Sequence, residues 1–124
     1  MNKKIKNNLF LIISIISLLI ILFLKINSEK NQINPFGITI LKVSSNSMSP
    51  TFEKDDLIII KKKDDYEVGD IITYKSENNY LITHRIIEKY ENVFITKGDN
   101  NNIQDEEKVK KENIIGKVIF IIKI

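Results

Sequence analysis

Apolar positions fall into two regimes along this chain. The first is one block: from Leu9 to Leu24 the residues read LFLIISIISLLIILFL, and only Ser14 and Ser17 interrupt it. Neither serine is charged, and in a helix a serine hydroxyl bonds a carbonyl one turn back. Carried past Lys25 to Ile26, the block is about 27 Å long as a helix, close to the thickness of a bilayer's hydrocarbon core. Lys25 stands where a long basic side chain can carry its ammonium to the interface. The second regime lies beyond residue 36. There, β-branched runs recur between clusters of Gly, Asp and Asn: GITILKVS, DLIIIKK, DIITYKS, YLITHRIIEKY, NVFITKG and IIGKVIFIIKI. Such runs predict strands joined by polar turns. YLITHRIIEKY is long enough for a short helix, but its Ile and Thr content favours a strand, and no window holds a 3.6-residue period with caps. The expected fold class is an all-β domain of small coiled or barrel-like antiparallel sheets behind one N-terminal transmembrane helix. The last run is too short to span as a helix, and reads as a strand with one face near lipid.

Length decides how the apolar block is used. A chain of 124 residues offers no apolar surface large enough to bury it as a core helix. A cleaved signal peptide shares the charged start and apolar run. However, KINSEKNQINPFG, which follows, has no A-x-A-like pair of small residues, and the run is longer than a usual signal core. The block is therefore read as an uncleaved anchor. The expected organisation is a basic tail over 1–8, a transmembrane anchor over 9–26, a tether over 27–36 and an extracytoplasmic domain over 37–124. Three lysines precede the anchor, whereas Lys25 and Lys30 follow it beside Glu29. That bias predicts a single-pass cell-membrane protein with its N-terminus in the cytoplasm.

Charge and composition narrow the chemistry. The formal net charge is +3, but without Lys3, Lys4 and Lys6 the chain holds 16 basic and 16 acidic residues. The excess belongs to the N-terminal tail, so the net charge gives no support for a nucleic-acid partner. The chain has no cysteine, which excludes disulfides, thiolate zinc sites and cysteine nucleophiles. A single histidine excludes multi-histidine metal sites, and carboxylate sites stay open. No metal and no cofactor are expected.

Three polar stretches then stand out. Ser45-Asn46-Ser47-Met48-Ser49-Pro50-Thr51 follows a predicted strand, Ile82-Thr83-His84-Arg85 lies inside one, and Lys97-Gly98-Asp99-Asn100-Asn101-Asn102-Ile103-Gln104-Asp105 is a loop. Taken singly they are a serine-rich turn, a packed histidine and a polar turn. Together they supply a nucleophilic system. A hydroxyl needs a base to remove its proton. Imidazole titrates near pH 6.5, and a carboxylate on its other N–H fixes its tautomer. Spacing alone does not prove that they meet.

In order along the chain, the serine motif is followed by Asp56-Leu57-Ile58-Ile59, Val68-Gly69-Asp70-Ile71-Ile72, Thr83-His84-Arg85, Lys97-Gly98-Asp99-Asn100-Asn101 and Ile115-Gly116-Lys117-Val118. With the N-terminal anchor, this succession resembles signal peptidase I over nearly the whole chain. Within it, the chain resembles the endoplasmic-reticulum-type branch also found in archaea and some spore-forming bacteria. The resemblance implies that Ser47 is the nucleophile and that His84 stands in place of the general-base lysine of the usual bacterial enzymes. It implies that Asp105 is the essential acid, with Asp99 a further acid or structural group. Ser45, with the Ser47 backbone N–H, would form the oxyanion hole. The chain differs from many members of that branch in ending on a strand rather than a second span.

The resemblance implies a membrane-bound serine endopeptidase that removes N-terminal signal peptides from exported preproteins at small-x-small sites. Its partners would be preprotein signal peptides and membrane lipid. An extended substrate would lie beside the strands that precede Ser47 and His84, with Val43 and Ile82 as pocket walls. Met48 and Phe52 are either core residues or interfacial ones. Arg85 cannot deprotonate, and Lys75 would serve as a base only if buried. Three rivals remain: a membrane-anchored non-catalytic β-domain that binds or scaffolds exported proteins, a self-cleaving serine–lysine repressor, and an inactive relative. The anchor and His84 argue against the second, and intact Ser47, His84 and Asp105 against the third.

Overall fold

The computed structural model of the chain describes residues 2–29 and 36–124. The chain divides into two units, Met1–Asn34 and Pro35–Ile124. The first holds helix α1, Lys3–Glu29, 27 residues and about 40 Å long. The segment expected to be a basic tail is therefore helical from Lys3. Asn2 explains the early start: its side-chain oxygen accepts the Lys4 N–H at 3.1 Å, and its carbonyl accepts the Lys6 N–H at 3.0 Å. Ser14 Oγ donates to the Phe10 carbonyl at 2.9 Å, so this hydroxyl is satisfied inside the helix. The span Lys3–Lys25 is long and apolar enough to cross a membrane. Most of the expected tether, 27–36, lies outside the described residues.

The second unit is mostly β. Its strands are β1 (Ile38–Lys42), β2 (Leu57–Lys61), β3 (Ile71–Lys75), β4 (Leu81–Tyr90), β5 (Val93–Lys97), β6 (Val109–Lys110) and β7 (Ile114–Ile122). They form one sheet in the order β1-β2-β7-β3-β4-β5-β6, with every described pairing antiparallel. Each of the six predicted runs carries one strand. The two-residue β6 has no signal in EEKVKKEN, because only Val109 is apolar there. The described pairings place β1 and β6 at the two ends of the strand order, and an antiparallel β domain after one apolar helix is the fold class expected. Register shifts at Ile59/Ile60, Thr73/Tyr74 and Ile86/Glu88 bend the sheet, since bulges increase local twist. Gly116 permits one close strand approach: a Cβ there would stand 2.9 Å from the Lys61 carbonyl carbon.

Two apolar clusters stabilise this sheet. Tyr66, Ile72, Tyr74, Ile86, Phe94, Val109 and Ile114 form one, and Met48, Phe52, Ile58 and Ile60 form the other. They meet opposite faces of β3, because Ile72 and Tyr74 belong to the first while Ile71 packs on the second. Met48 and Phe52, each 1% exposed, are core residues rather than interfacial ones. The residues that are exposed and apolar include Ile40 on β1 and Phe120 and Ile122 on β7.

Candidate active site

Strand alternation assembles the site. In the β3–β4 register Ile72 lies opposite His84 and Tyr74 opposite Ile82, and in β4–β5 Ile86 lies opposite Thr96. Directly opposed residues share a face. Tyr74, Ile82, His84, Ile86 and Thr96 therefore project together, towards the first cluster. Arg85, the next residue along β4, projects the other way.

Ser47 comes from the turn after β1. The loop after β5 holds that turn: Asn100 N–H donates to the Ser47 carbonyl at 2.9 Å, and Asn100 Nδ2 to the Asn46 carbonyl at 3.2 Å. Gly98 makes this approach possible, since a Cβ there would stand 2.7 Å from the Ser47 carbonyl oxygen. Asn46 Oδ1 in turn accepts the Lys54 N–H at 2.9 Å. The Ser49–Pro50 peptide in this turn is cis.

The result is a continuous chain of polar contacts. His84 Nε2 lies 3.1 Å from Ser47 Oγ, and His84 Nδ1 lies 2.6 Å from Asp105 Oδ2. With the proton on Nδ1, the imidazole donates to the carboxylate and accepts from the serine hydroxyl. Ser45 Oγ donates to Ser47 Oγ at 3.2 Å and accepts the Ser47 N–H at 3.4 Å. His84 is buried, at 9% exposure, so water competes weakly for either ring nitrogen.

The two acids of the loop separate completely. Asp99 receives Arg85 Nε at 2.9 Å and Nη2 at 2.8 Å, a two-point pairing, and Thr51 Oγ1 at 2.6 Å. Arg85 also donates to the Gly69 carbonyl at 2.8 Å. The Arg85 bonds hold the Asp99 carboxyl below the ordinary carboxylate value against the opposing effect of burial. Asp105 faces the imidazole instead. Burial pushes its carboxyl up, but bonds from His84 and Thr96, the nearby imidazole charge and Tyr74 outweigh this and hold it below the ordinary value. The first region thus ties loop to sheet, and the second sets a half-buried carboxylate beside the imidazole.

Beside Ser47 lies a cleft of about 290 Å³, whose walls include Leu41, Val43, Phe52, Leu81 and Ile82, with Asn101 at its rim. Val43 and Ile82, the residues expected as substrate-pocket walls, both line this cleft. Lys75 is exposed at the end of β3, so it lacks the burial that a lysine base needs. Among the described residues, no group of three or more His, Asp or Glu gathers in metal-ligating reach. Sequence reasoning missed Thr51, Tyr74, Thr96 and Asn101. Alternation along β3 and β5 would have placed Tyr74 and Thr96 on the His84 face, but only once the register was known.

The S24-like peptidase family model matches residues 23–119. The chain is 35% identical to signal peptidase I W of Bacillus subtilis (strain 168) over 120 residues, 90% of this chain and 63% of that protein. It is 32% identical over 95 residues to the signal peptidase complex catalytic subunit SEC11 of Metarhizium robertsii, covering 64% of this chain and 55% of that protein. It is 36% identical over 98 residues to the SEC11 subunit of Colletotrichum graminicola, covering 67% of this chain and 57% of that protein. The chain thus spans less than two thirds of the length of these relatives.

Proposed function

The chain belongs to the S24-like peptidases, and we propose that it is a membrane-anchored serine endopeptidase that removes signal peptides from exported preproteins. The observation that carries this reading is the pair of contacts at His84, 3.1 Å to Ser47 Oγ and 2.6 Å to Asp105 Oδ2. In the proposed reaction Ser47 Oγ attacks the scissile carbonyl while its proton passes to His84 Nε2. Asp105 holds the Nδ1 proton and stabilises the imidazolium. The oxyanion then draws the Ser47 N–H, together with the Ser45 hydroxyl, away from their mutual contacts. One such donor is worth roughly 3–4 kcal/mol. His84 returns its proton to the leaving amine, and water, deprotonated by the same ring, releases the acyl group from Ser47.

Substrate placement follows from the sheet. β5 begins to pair with β4 at Arg85, so Leu81–His84 keep one backbone edge unpaired by β5. An extended peptide laid along that edge would add a strand, with alternate side chains directed into the cleft between Val43 and Ile82. The cleft there measures about 290 Å³, and cleavage at small-x-small sites is the specificity proposed for it. The apolar helix α1 would hold the enzyme where signal peptides emerge from the bilayer, with the N-terminus cytoplasmic and the domain outside. Confinement of both partners to one plane raises their effective concentration.

The test is to compare secreted-protein N-termini in cells carrying the parent chain or Ser47→Ala. Loss of processing, with uncleaved precursors accumulating in the membrane, is the expected result. Unchanged N-termini would instead favour a non-catalytic domain that binds or scaffolds exported proteins.

A further inference from the structure

We infer that Thr96 and Tyr74 are positioning residues that set how strongly Asp105 holds His84, and so the pH at which the imidazole becomes available as a base. The inference rests on the proposed reading of His84 as the general base.

Asp105 Oδ2 is crowded with donors. His84 Nδ1 lies 2.6 Å from it, Thr96 Oγ1 also 2.6 Å, and Tyr74 OH 3.3 Å. Thr96 Oγ1 is 3.4 Å from the Tyr74 oxygen. A hydroxyl has one proton to give, so the short contact assigns the Thr96 proton to the carboxylate. The phenol proton points to the same oxygen. Thr96 is fully buried and Tyr74 is 1% exposed, so water does not replace either donor. Thr96 also accepts the Asp105 N–H on its carbonyl at 2.8 Å, which fixes the acid's backbone to β5. Burial, chiefly, with the carboxylates of Asp105 and Glu107 nearby, pushes the Tyr74 phenol up to about 12. It therefore remains a donor throughout the working range.

Three donors on one oxygen have two consequences. Oδ2 is oriented before the ring charges, so the carboxylate does not rotate during proton transfer. Its negative charge is also shared, which weakens its pull on the imidazolium relative to an Asp–His pair alone. Removing one hydroxyl concentrates charge on Oδ2 and favours the protonated ring. The other charged groups near the pair are accounted for. Glu107 acts on Tyr74 and accepts the Glu77 N–H at 2.8 Å. Arg85 and Asp99 pair with each other across β4, and Lys97, opposite Arg85 in the register, lies on that same side. From the serine turn, the Ser47 hydroxyl meets the ring at 3.1 Å.

The single histidine makes this directly measurable. In the full-length chain in detergent micelles, ring ¹H–¹⁵N resonances report one imidazole without assignment ambiguity. Thr96→Val removes a donor at constant shape, and its titration midpoint should rise by about 0.5–1 pH unit, the equivalent of one net hydrogen bond. Tyr74→Phe should raise it by less, because its contact is longer. Thr96→Ser should restore the parent value. The acid limb of kcat/KM on a preprotein should move in parallel. Midpoints unmoved or lowered in the folded variants would overturn the inference. If Thr96→Val does not fold, Tyr74→Phe decides the matter by the same criterion. A midpoint that rises while the acid limb stays fixed would leave the tuning standing and overturn His84 as the base.

Discussion

His84 and Arg85 are neighbours on one strand, and each holds an acid from the same loop. They differ in the face they serve. On one side of β4, Arg85 grips Asp99 at two points and Thr51 closes the group. On the other, His84 contacts Asp105 and Ser47. The alternation of a strand thus separates two carboxylates six positions apart into different occupations. One is paired with a group that never loses its proton, and so serves as a fastener. The other is paired with an imidazole that also contacts a serine hydroxyl, and so can serve a reaction. Both acids are ionised for the same broad reason, hydrogen bonds that outweigh burial, so ionisation does not distinguish them. Partner identity does.

The comparison breaks most sharply at the acids. Asp105→Ala should lower kcat/KM by about 10³–10⁴-fold, as loss of the orienting acid does in other triads. Asp99→Asn should cost roughly tenfold, through displacement of the loop that holds Ser47. Preprotein cleavage by purified full-length variants checks both, and equal losses would erase the assignment of roles. Ser45→Ala comes next. Removing one oxyanion donor should lower kcat by about 10²-fold or more with KM little changed. A change confined to KM would move Ser45 from the oxyanion to substrate binding.

Stability should show the reverse ranking. Breaking the Asp99–Arg85 pairing, by Asp99→Asn or Arg85→Lys, should lower unfolding free energy by about 1.5–3 kcal/mol, the range for bonds to charged groups. Urea denaturation of the solubilised chain measures it. Ser45→Ala should lie within about 0.5 kcal/mol of the parent, because the Ser45 side chain is exposed.

Much of this was legible before the fold, and the gaps have physical reasons. Six β-branched runs marked six strands because Ile and Val report a pleated, half-buried surface regardless of partner. β6 was illegible because two residues cannot display a period. The helix began earlier than the apolar block, since Asn2 caps it and lysines are good helix formers. Ser47, His84 and Asp105 were named from motifs, and the fold brings them together. Thr96 and Tyr74 were not named, because they matter through register, and register is a property of pairs of strands. The strand order was hidden for the same reason: it depends on which strands pair, and no single run encodes that.

Acid pH offers the gentlest test of the two faces. The folded-state value of Asp99 lies below its ordinary one because Arg85 and Thr51 bind the charged form. A depressed carboxyl contributes stability that is complete above its unfolded value, about 3.9. It is lost as pH falls through the lower folded value. Asp105 behaves with the same sign. The parent should therefore lose stability progressively below about pH 4. Asp99→Asn cannot lose what it lacks, so its stability should fall less steeply there. The gap between the two chains, widest near neutrality, should narrow towards pH 2. Urea midpoints collected from pH 7 down to pH 2 would show it. A gap that stays constant with pH would mean that the Asp99 side contributes shape rather than charge, and the contrast between its face of β4 and that of His84 would then rest on activity alone.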